Sequence, residues 1–128
     1  LGLSPYVKEA WNNKGNALNM IGNPHKALEC LNTALLLDPE YASAWINKGI
    51  SLASIGNMGE ALKCFDNAIR LDSKVAKAWY NKGLVLFKLG RFEEAKSCAN
   101  EALRIDSQYE KAGKLKEECE NRERSSCN

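Results

Sequence analysis

The chain contains three tryptophans, Trp11, Trp45 and Trp79, whose positions keep one constant period of 34. Three of its five cysteines, Cys30, Cys64 and Cys98, keep the same spacing. A fixed period in this range constrains the fold more than any composition does, because it marks an array of repeated supersecondary units. Aligned on it, the units are Lys8–Tyr41, Ala42–Val75 and Ala76–Tyr109, and their motif openings read AWNNKG, AWINKG and AWYNKG. Gly15, Gly49 and Gly83 recur, then Leu18, Leu52 and Leu86, then a second glycine set at Gly22, Gly56 and Gly90. Small residues follow at Ala27, Ala61 and Ala95 and again at Ala34, Ala68 and Ala102, and Asp38, Asp72 and Asp106 close the units. A single unit of this size cannot bury its own apolar face, and stacking of about three does so.

Within each unit the spacing predicts two helices. Trp45, Gly49 and Leu52 fall on one face at i, i+4 and i+7, which defines helix A. The second glycine stands where a C′ residue would end that helix. Asn23 followed by Pro24 reads as N-cap and first residue of helix B, and Asn57 can cap the next one. Arg91 offers no side-chain acceptor, so the third helix B is expected to fray more at its start. Ala61, Phe65 and Ala68 give helix B its inner face. After the third unit, a charged stretch from about 108 to 124 places Tyr109, Ala112, Leu115 and Cys119 on one side, as a capping helix would. Gly113 stands there in place of a tryptophan, and the chain from Arg124 onward is expected to fray. At the front, Leu1–Pro5 aligns with Leu35–Pro39, so residues 1–7 read as the remnant of an upstream repeat, with an ordinary N-terminal extension as the alternative. The whole, 1–128, reads as one repeat domain.

These motifs resemble the tetratricopeptide repeat family, whose signature is W-x2-L-G-x2-Y, then A-x3-F, then P, over about 34 residues. The Trp, the first Gly and both Ala positions match in all three units. The departures are Lys14, Lys48 and Lys82 for the Leu, and Leu18, Leu52 and Leu86 for the Tyr. Only Phe65 keeps the Phe, and only Pro39 keeps the Pro. The resemblance implies an all-α fold: a right-handed superhelical solenoid of antiparallel helix pairs, three repeats plus a capping helix, with a concave groove lined by helix A. It also implies a non-catalytic module that binds a protein or peptide and scaffolds assembly.

Composition narrows the alternatives. Hydrophobic residues make up 45% and charged residues 27% of the chain, values of a globular protein rather than a disordered one. The longest aliphatic run is Leu35–Leu37, so no segment spans a bilayer, and no leader pattern is visible. A net charge of +2 with scattered lysines argues against nucleic acid. One histidine, five cysteines without a CxxC pair, and no Asn-x-Ser/Thr site point to free thiols, no metal or cofactor, and a reducing, cytoplasmic setting.

The helical wheel sets the candidate groove wall opposite the Trp–Gly–Leu face. It comprises Asn12, Asn13 and Asn16 from the first unit, Ile46, Asn47 and Ile50 from the second, and Lys77, Tyr80, Asn81, Leu84, Phe87 and Lys88 from the third. Asn13, Asn47 and Asn81 form a ladder of amides able to bond an extended backbone, or simply to bond neighbouring turns. Ile46, Ile50, Tyr80, Leu84 and Phe87 form an apolar patch that is either a partner site or core between repeats. Lys77, Lys88 and Lys111 would give a positive rim that favours an acidic partner with apolar anchors. Some family members hold a chaperone tail's carboxylate with a Lys–Asn–Asn–Lys–Arg set. The matching residues here are Asn12, Asn16, Asn47, Lys77 and Asn81, which lack two of the three cations, so such a clamp is not expected. Lys14, Lys48 and Lys82 are expected to snorkel beside the core. Recruitment within a larger enzyme and end-to-end self-association remain alternatives, and RNA binding lacks the basic, aromatic groove it needs.

Overall fold

The computed structural model describes residues 7–126, so Leu1–Pro5 and Cys127 lie outside the described residues. It is all α-helix: α1 (Val7–Met20), α2 (Pro24–Leu37), α3 (Ala42–Ser54), α4 (Met58–Leu71), α5 (Ala76–Lys88), α6 (Phe92–Ile105) and α7 (Glu110–Ser126). The helices pack as antiparallel pairs, α1 with α2, α3 with α4, and α5 with α6, and α7 packs on α6. The fold divides into two compact units, Leu1–Leu71 and Asp72–Asn128.

Each A–B turn is built the same way. Gly56, at φ +87°, donates its N–H to Ala53 O at 3.1 Å, while Asn57 N–H reaches Leu52 O at 2.8 Å. This Schellman closure satisfies two carbonyls at the end of α3 and needs a residue tolerant of positive φ. Gly22 and Gly90 repeat it at φ +82° and +80°. Asn23 caps α2 by accepting from Lys26 N–H, with Pro24 first in the helix, and Asn57 Oδ1 accepts from Glu60 N–H. Arg91 makes no side-chain cap, but its guanidinium pairs twice with Glu94, at 2.9 and 2.7 Å. The helix start is therefore tied through the side chain of its third residue. Between repeats, Asp38, Asp72 and Asp106 each accept the backbone N–H two residues on, at 3.0 to 3.1 Å. Trp45 and Trp79 donate their indole N–H to Pro39 O and Ser73 O, at 2.8 and 2.9 Å.

In the first unit, α1 and α3 lie close enough to α2 and α4 that no side chain fits at Gly15 or Gly49. A Cβ on Gly49 would stand 2.5 Å from Phe65 Cε1, and one on Gly15 would stand 2.5 Å from Leu31 Cγ. Leu31, Phe65, Ala27, Ala61 and Ala68 are at most 1% exposed. Ala34, Leu35 and Ala44 form a further core cluster, with Trp11, Tyr41 and Trp45 packed against it.

In the second unit the residue equivalent to Leu31 and Phe65 is Ala99. The space over Gly83 is taken instead by Leu115 Cδ2, 3.0 Å from where a Cβ would be, and by Cys98. Helix α7 thus completes the third hairpin. Its inner face is Ala112, Leu115 and Cys119, none above 5% exposed. Lys96 ties α6 to α7 by approaching Glu120 and Glu123, at 3.9 and 3.7 Å.

The close approach makes a clear test by thermal melts. Gly49→Ala must displace the Phe65 ring, costing about 1–3 kcal/mol of overpacking against about 1 kcal/mol of helix propensity gained. Its Tm is expected to fall. Gly113 also lies within a helix, but has nothing within 4 Å of its Cβ position. Gly113→Ala is therefore expected to gain about 0.5–1 kcal/mol. Equal shifts for the two variants would show that α3 and α4 are not in this contact.

Cys30, Cys64, Cys98 and Cys119 are buried. Burial pushes the Cys64 thiol up to about 11, so it is almost entirely protonated at neutral pH. Ellman's reagent should modify Cys64 far more slowly in the folded chain than in urea, as read by mass spectrometry of its peptide. Equal rates would mean that α4 opens readily.

Candidate functional site

The residues expected on a groove wall separate into two chemistries. In the first unit they form an amide network where α3 packs along α1. Asn12 Nδ2 donates to Ser43 Oγ at 3.0 Å and to Tyr41 Oη at 3.3 Å, and Asn47 Nδ2 donates to Asn12 Oδ1 at 2.9 Å. One turn along, Asn19 Nδ2 donates to Asn47 O at 3.1 Å, and Ser51 Oγ donates to Asn19 Oδ1 at 2.6 Å. Asn12, Asn47 and Ile46 are 4%, 3% and 4% exposed. The helical wheel of an isolated helix set these three on an open wall, and the structure instead buries them. Asn13 is exposed, and Asn16 and Ile50 are partly so.

The three ladder amides do not act alike. Asn13 faces solvent, Asn47 bonds Asn12, and Asn81 Nδ2 turns back to Lys77 O at 2.8 Å on its own helix. The differences come from their neighbours rather than from their repeat position. Lys14, Lys48 and Lys82 do more than border the core. Each ammonium lies over the ring of the tryptophan one turn back, 5.6, 5.4 and 5.9 Å from its centroid. An exposed cation–π pair of this kind contributes about 0.5–1 kcal/mol.

In the second unit the same positions are apolar and aromatic, and they line a cleft between α5 and α7 of about 200 Å³. Tyr80, Leu84, Phe87 and Leu115 form its apolar wall, and Lys111, Lys114 and Glu118 of α7 flank it. Tyr80 stacks at a tilt on Tyr109, with ring centroids 5.5 Å apart. Burial raises the pKa of both phenols, and for Tyr109 the nearby Tyr80 and Asp106 add to it. Phe87 meets Phe92 edge-on at 5.2 Å, and the Arg122 guanidinium lies over both rings, at 5.5 and 5.9 Å. Lys77, near the start of α5 and outside the cleft lining, is held below the ordinary lysine range, first by desolvation and then by the neighbouring charge of Lys111. Lys88 is exposed and does not line the cleft.

Tyr80, Leu84 and Phe87 were legible as one stripe of helix A, and Lys111 as part of a rim. Lys114, Glu118, Phe92 and Arg122 were not. Lys114 and Glu118 carry a usable signal, since they stand one full repeat period after Tyr80 and Leu84. Extending the repeat register into α7, despite its missing tryptophan, would have found them.

Among the described residues, no group of His, Cys, Asp and Glu is placed to hold a metal ion, and no helix is long and apolar enough to cross a membrane.

Comparison with known proteins bears on the fold. No curated protein matches the sequence. The solved structures that resemble it include the Sgt2 TPR domain from Aspergillus fumigatus, at 19% identity and TM-score 0.89, covering 96% of this chain and 82% of that one. The first TPR domain of human RPAP3 is similar at 20% identity and TM-score 0.90, covering 95% and 96%. The second TPR domain of human RPAP3, in complex with the HSP70 peptide SGPTIEEVD, is similar at 24% identity and TM-score 0.81, covering 91% and 98%. The tetratricopeptide repeat pattern matches residues 9–41 and 76–109, and a second TPR repeat pattern matches 51–90. With the helix pairs, the glycine contacts and the repeat register all in agreement, the chain belongs to the tetratricopeptide repeat family.

Proposed function

We propose that the chain is a protein-binding module which takes an extended segment of another protein in the α5–α7 cleft and so scaffolds an assembly. The observation that carries this reading is the cleft itself. Tyr80, Leu84 and Phe87 keep part of their surface accessible beside Leu115, although each is large and apolar enough to be core. Apolar clefts with a polar flank are where protein segments anchor. The structurally similar human RPAP3 domain holds an acidic HSP70 peptide, which supports peptide binding as the use of this fold.

A carboxylate clamp across the repeats is not the reading favoured for this chain. Of its matching residues, Asn12 and Asn47 are buried with Asn47 Nδ2 bonded to Asn12 Oδ1, and Asn81 bonds back to its own helix. Neither Asn12 nor Asn81 supplies the cation that such a clamp needs. Lys88, exposed in the same unit as the cleft, is proposed as part of the surroundings of the bound segment, whereas Asn13, Asn16 and Ile50 keep exposed surface in the first unit and are given no part in it. The module itself is proposed to be non-catalytic.

Peptides selected from a random display library against the purified chain provide the test. Leu84→Glu puts a carboxylate on the apolar wall and is expected to weaken selected binders by about thirtyfold or more, the ratio for an anchor worth about 2 kcal/mol. Asn13→Ala should leave them unchanged. Circular dichroism of both variants confirms the fold. Binders unaffected by Leu84→Glu would move the site away from the cleft.

A further inference from the structure

We propose that Phe87 and Phe92 form a receptor for a guanidinium group, occupied in this structure by Arg122 of the same chain and able to take an arginine side chain of a partner protein in its place. The proposal concerns the aromatic pair and does not rest on a segment filling the α5–α7 cleft, whose lining omits Phe92.

The geometry of the pair suits a cation. Phe87 stands near the end of α5 and Phe92 begins α6, and the turn at Gly90 brings them together. The rings meet edge-on, with centroids 5.2 Å apart and planes at 64°, so their faces stand at an angle to each other. A ring face is the negative part of its quadrupole. The Arg122 guanidinium lies over both rings, 5.5 Å from Phe87 and 5.9 Å from Phe92, inside the roughly 6 Å range in which this attraction counts. Arginine fits such a seat better than lysine. Its planar, weakly hydrated group stacks on a ring and gives up less water than an ammonium does.

The repeat itself does not call for these rings. One period earlier stand Ala53 and Met58, and two periods earlier Asn19 and Pro24. Both phenylalanines stay half-buried, and the close contact at Gly83 is made by Leu115, Cys98 and the backbone of Ala95 without them. The aromatic pair is an addition to the hairpin core rather than a part of it.

The surroundings favour a positive group on either side. Glu93, Glu94 and Glu123 line a second cleft, of about 350 Å³, together with Phe92 and Arg91, and Glu118 lines the α5–α7 cleft with Phe87. Arg91 holds Glu94, and Lys96 approaches Glu123. Among the described residues, Glu93 and Glu118 take part in no ion pair. Lys111 and Lys114 precede Arg122 on α7 by at least eight residues, roughly 12 Å along the helix. Arg122 is a weakly held occupant. It is exposed, and no residue from 120 to 125 is buried, so its guanidinium can leave the rings without unpacking the core. An arginine from a partner then makes the same contacts in its place.

N-acetylarginine amide serves as the probe. The citrulline derivative, of the same shape but uncharged, serves as its control. The ring and amide resonances of Phe87 and Phe92 are followed by NMR in the full chain and in Arg122→Gln. The arginine derivative is expected to bind Arg122→Gln about three- to fivefold more tightly than the native chain, the gain from removing one exposed cation–π competitor. The citrulline derivative should leave the rings unmoved. In the Arg122→Gln background, Phe92→Met and Phe87→Ala install the residues found one period earlier, and each should weaken the arginine derivative about threefold or more. Circular dichroism confirms that both variants fold. Display-library peptides eluted from Arg122→Gln by the arginine derivative should carry an arginine, and exchanging it for citrulline should weaken them about fivefold. Equal affinity for the native chain and Arg122→Gln, equal shifts from both derivatives, or binding that survives both ring substitutions would each overturn the proposal and leave Arg122 as a brace for α7. Eluted peptides without an arginine would overturn it as well.

Discussion

The close approach of helix A to helix B is the constraint on which the remaining features depend. Gly15 and Gly49 have no side chain because Leu31 and Phe65 stand where it would be. That contact sets the spacing of the pair, and the spacing decides what each neighbouring position can reach. In the third hairpin the partner residue is Ala99, too small to fill the gap. Leu115 reaches in from α7 and meets Gly83 together with Cys98. A helix that looks in sequence like a polar cap is thereby part of the hairpin core. Seating Leu115 also brings Lys111, Lys114 and Glu118 alongside the face of α5. The cleft is thus a consequence of how one missing side chain is replaced.

The same repeat positions serve opposite ends in the two units. In Leu1–Leu71 they carry Asn12, Asn19, Asn47 and Ser51, which bond one another and the backbone. Buried amides gain little net energy from such bonds, but leaving one unpaired costs about 1–3 kcal/mol. The network therefore specifies how α3 lies on α1 more than it adds stability. In Asp72–Asn128 the positions of Asn12 and Asn19 carry Tyr80 and Phe87, which impose no such pairing. Part of their surface stays available, and the direction of packing comes from Leu115 and the Tyr80–Tyr109 stack. The amide face is buried, with only Asn47 Oδ1 left without a partner, whereas the apolar face is partly open.

The helices, their pairing and both glycine sets were legible in the sequence because each follows from a local rule repeated three times. A C′ glycine and an apolar i, i+4, i+7 stripe, present in all three units, need no knowledge of neighbours, and neither does the Asn-Pro start of the first. The boundaries of α7 were less so: the charged composition suggested 108–124, and the helix runs Glu110–Ser126. Asp106 and Tyr109 set its start, through the turn that closes each repeat. The candidate groove was legible only as a list of faces. A helical wheel gives the direction of Asn12, Ile46 and Asn47 but not what lies opposite, and α3 along α1 turned an open wall into a buried one. The lysine that follows each tryptophan shows the same limit. Its place beside the core was readable, while its seat over the indole depends on the rotamer of both side chains.

The place of α7 bears on specificity within a repeat family. A groove lined by helix A alone offers a ligand whatever the repeats happen to carry, and here they carry the uncharged Asn12 and Asn81. The terminal helix contributes its inner face, Ala112, Leu115 and Cys119, to the core, and Glu120, Glu123 and Arg122 to contacts with Lys96, Phe87 and Phe92. Lys111 and Lys114 stand outside both sets and place charge beside the apolar wall. On the proposed reading, charge on such an edge would select partners by steering and by penalising mismatches more than by raw affinity.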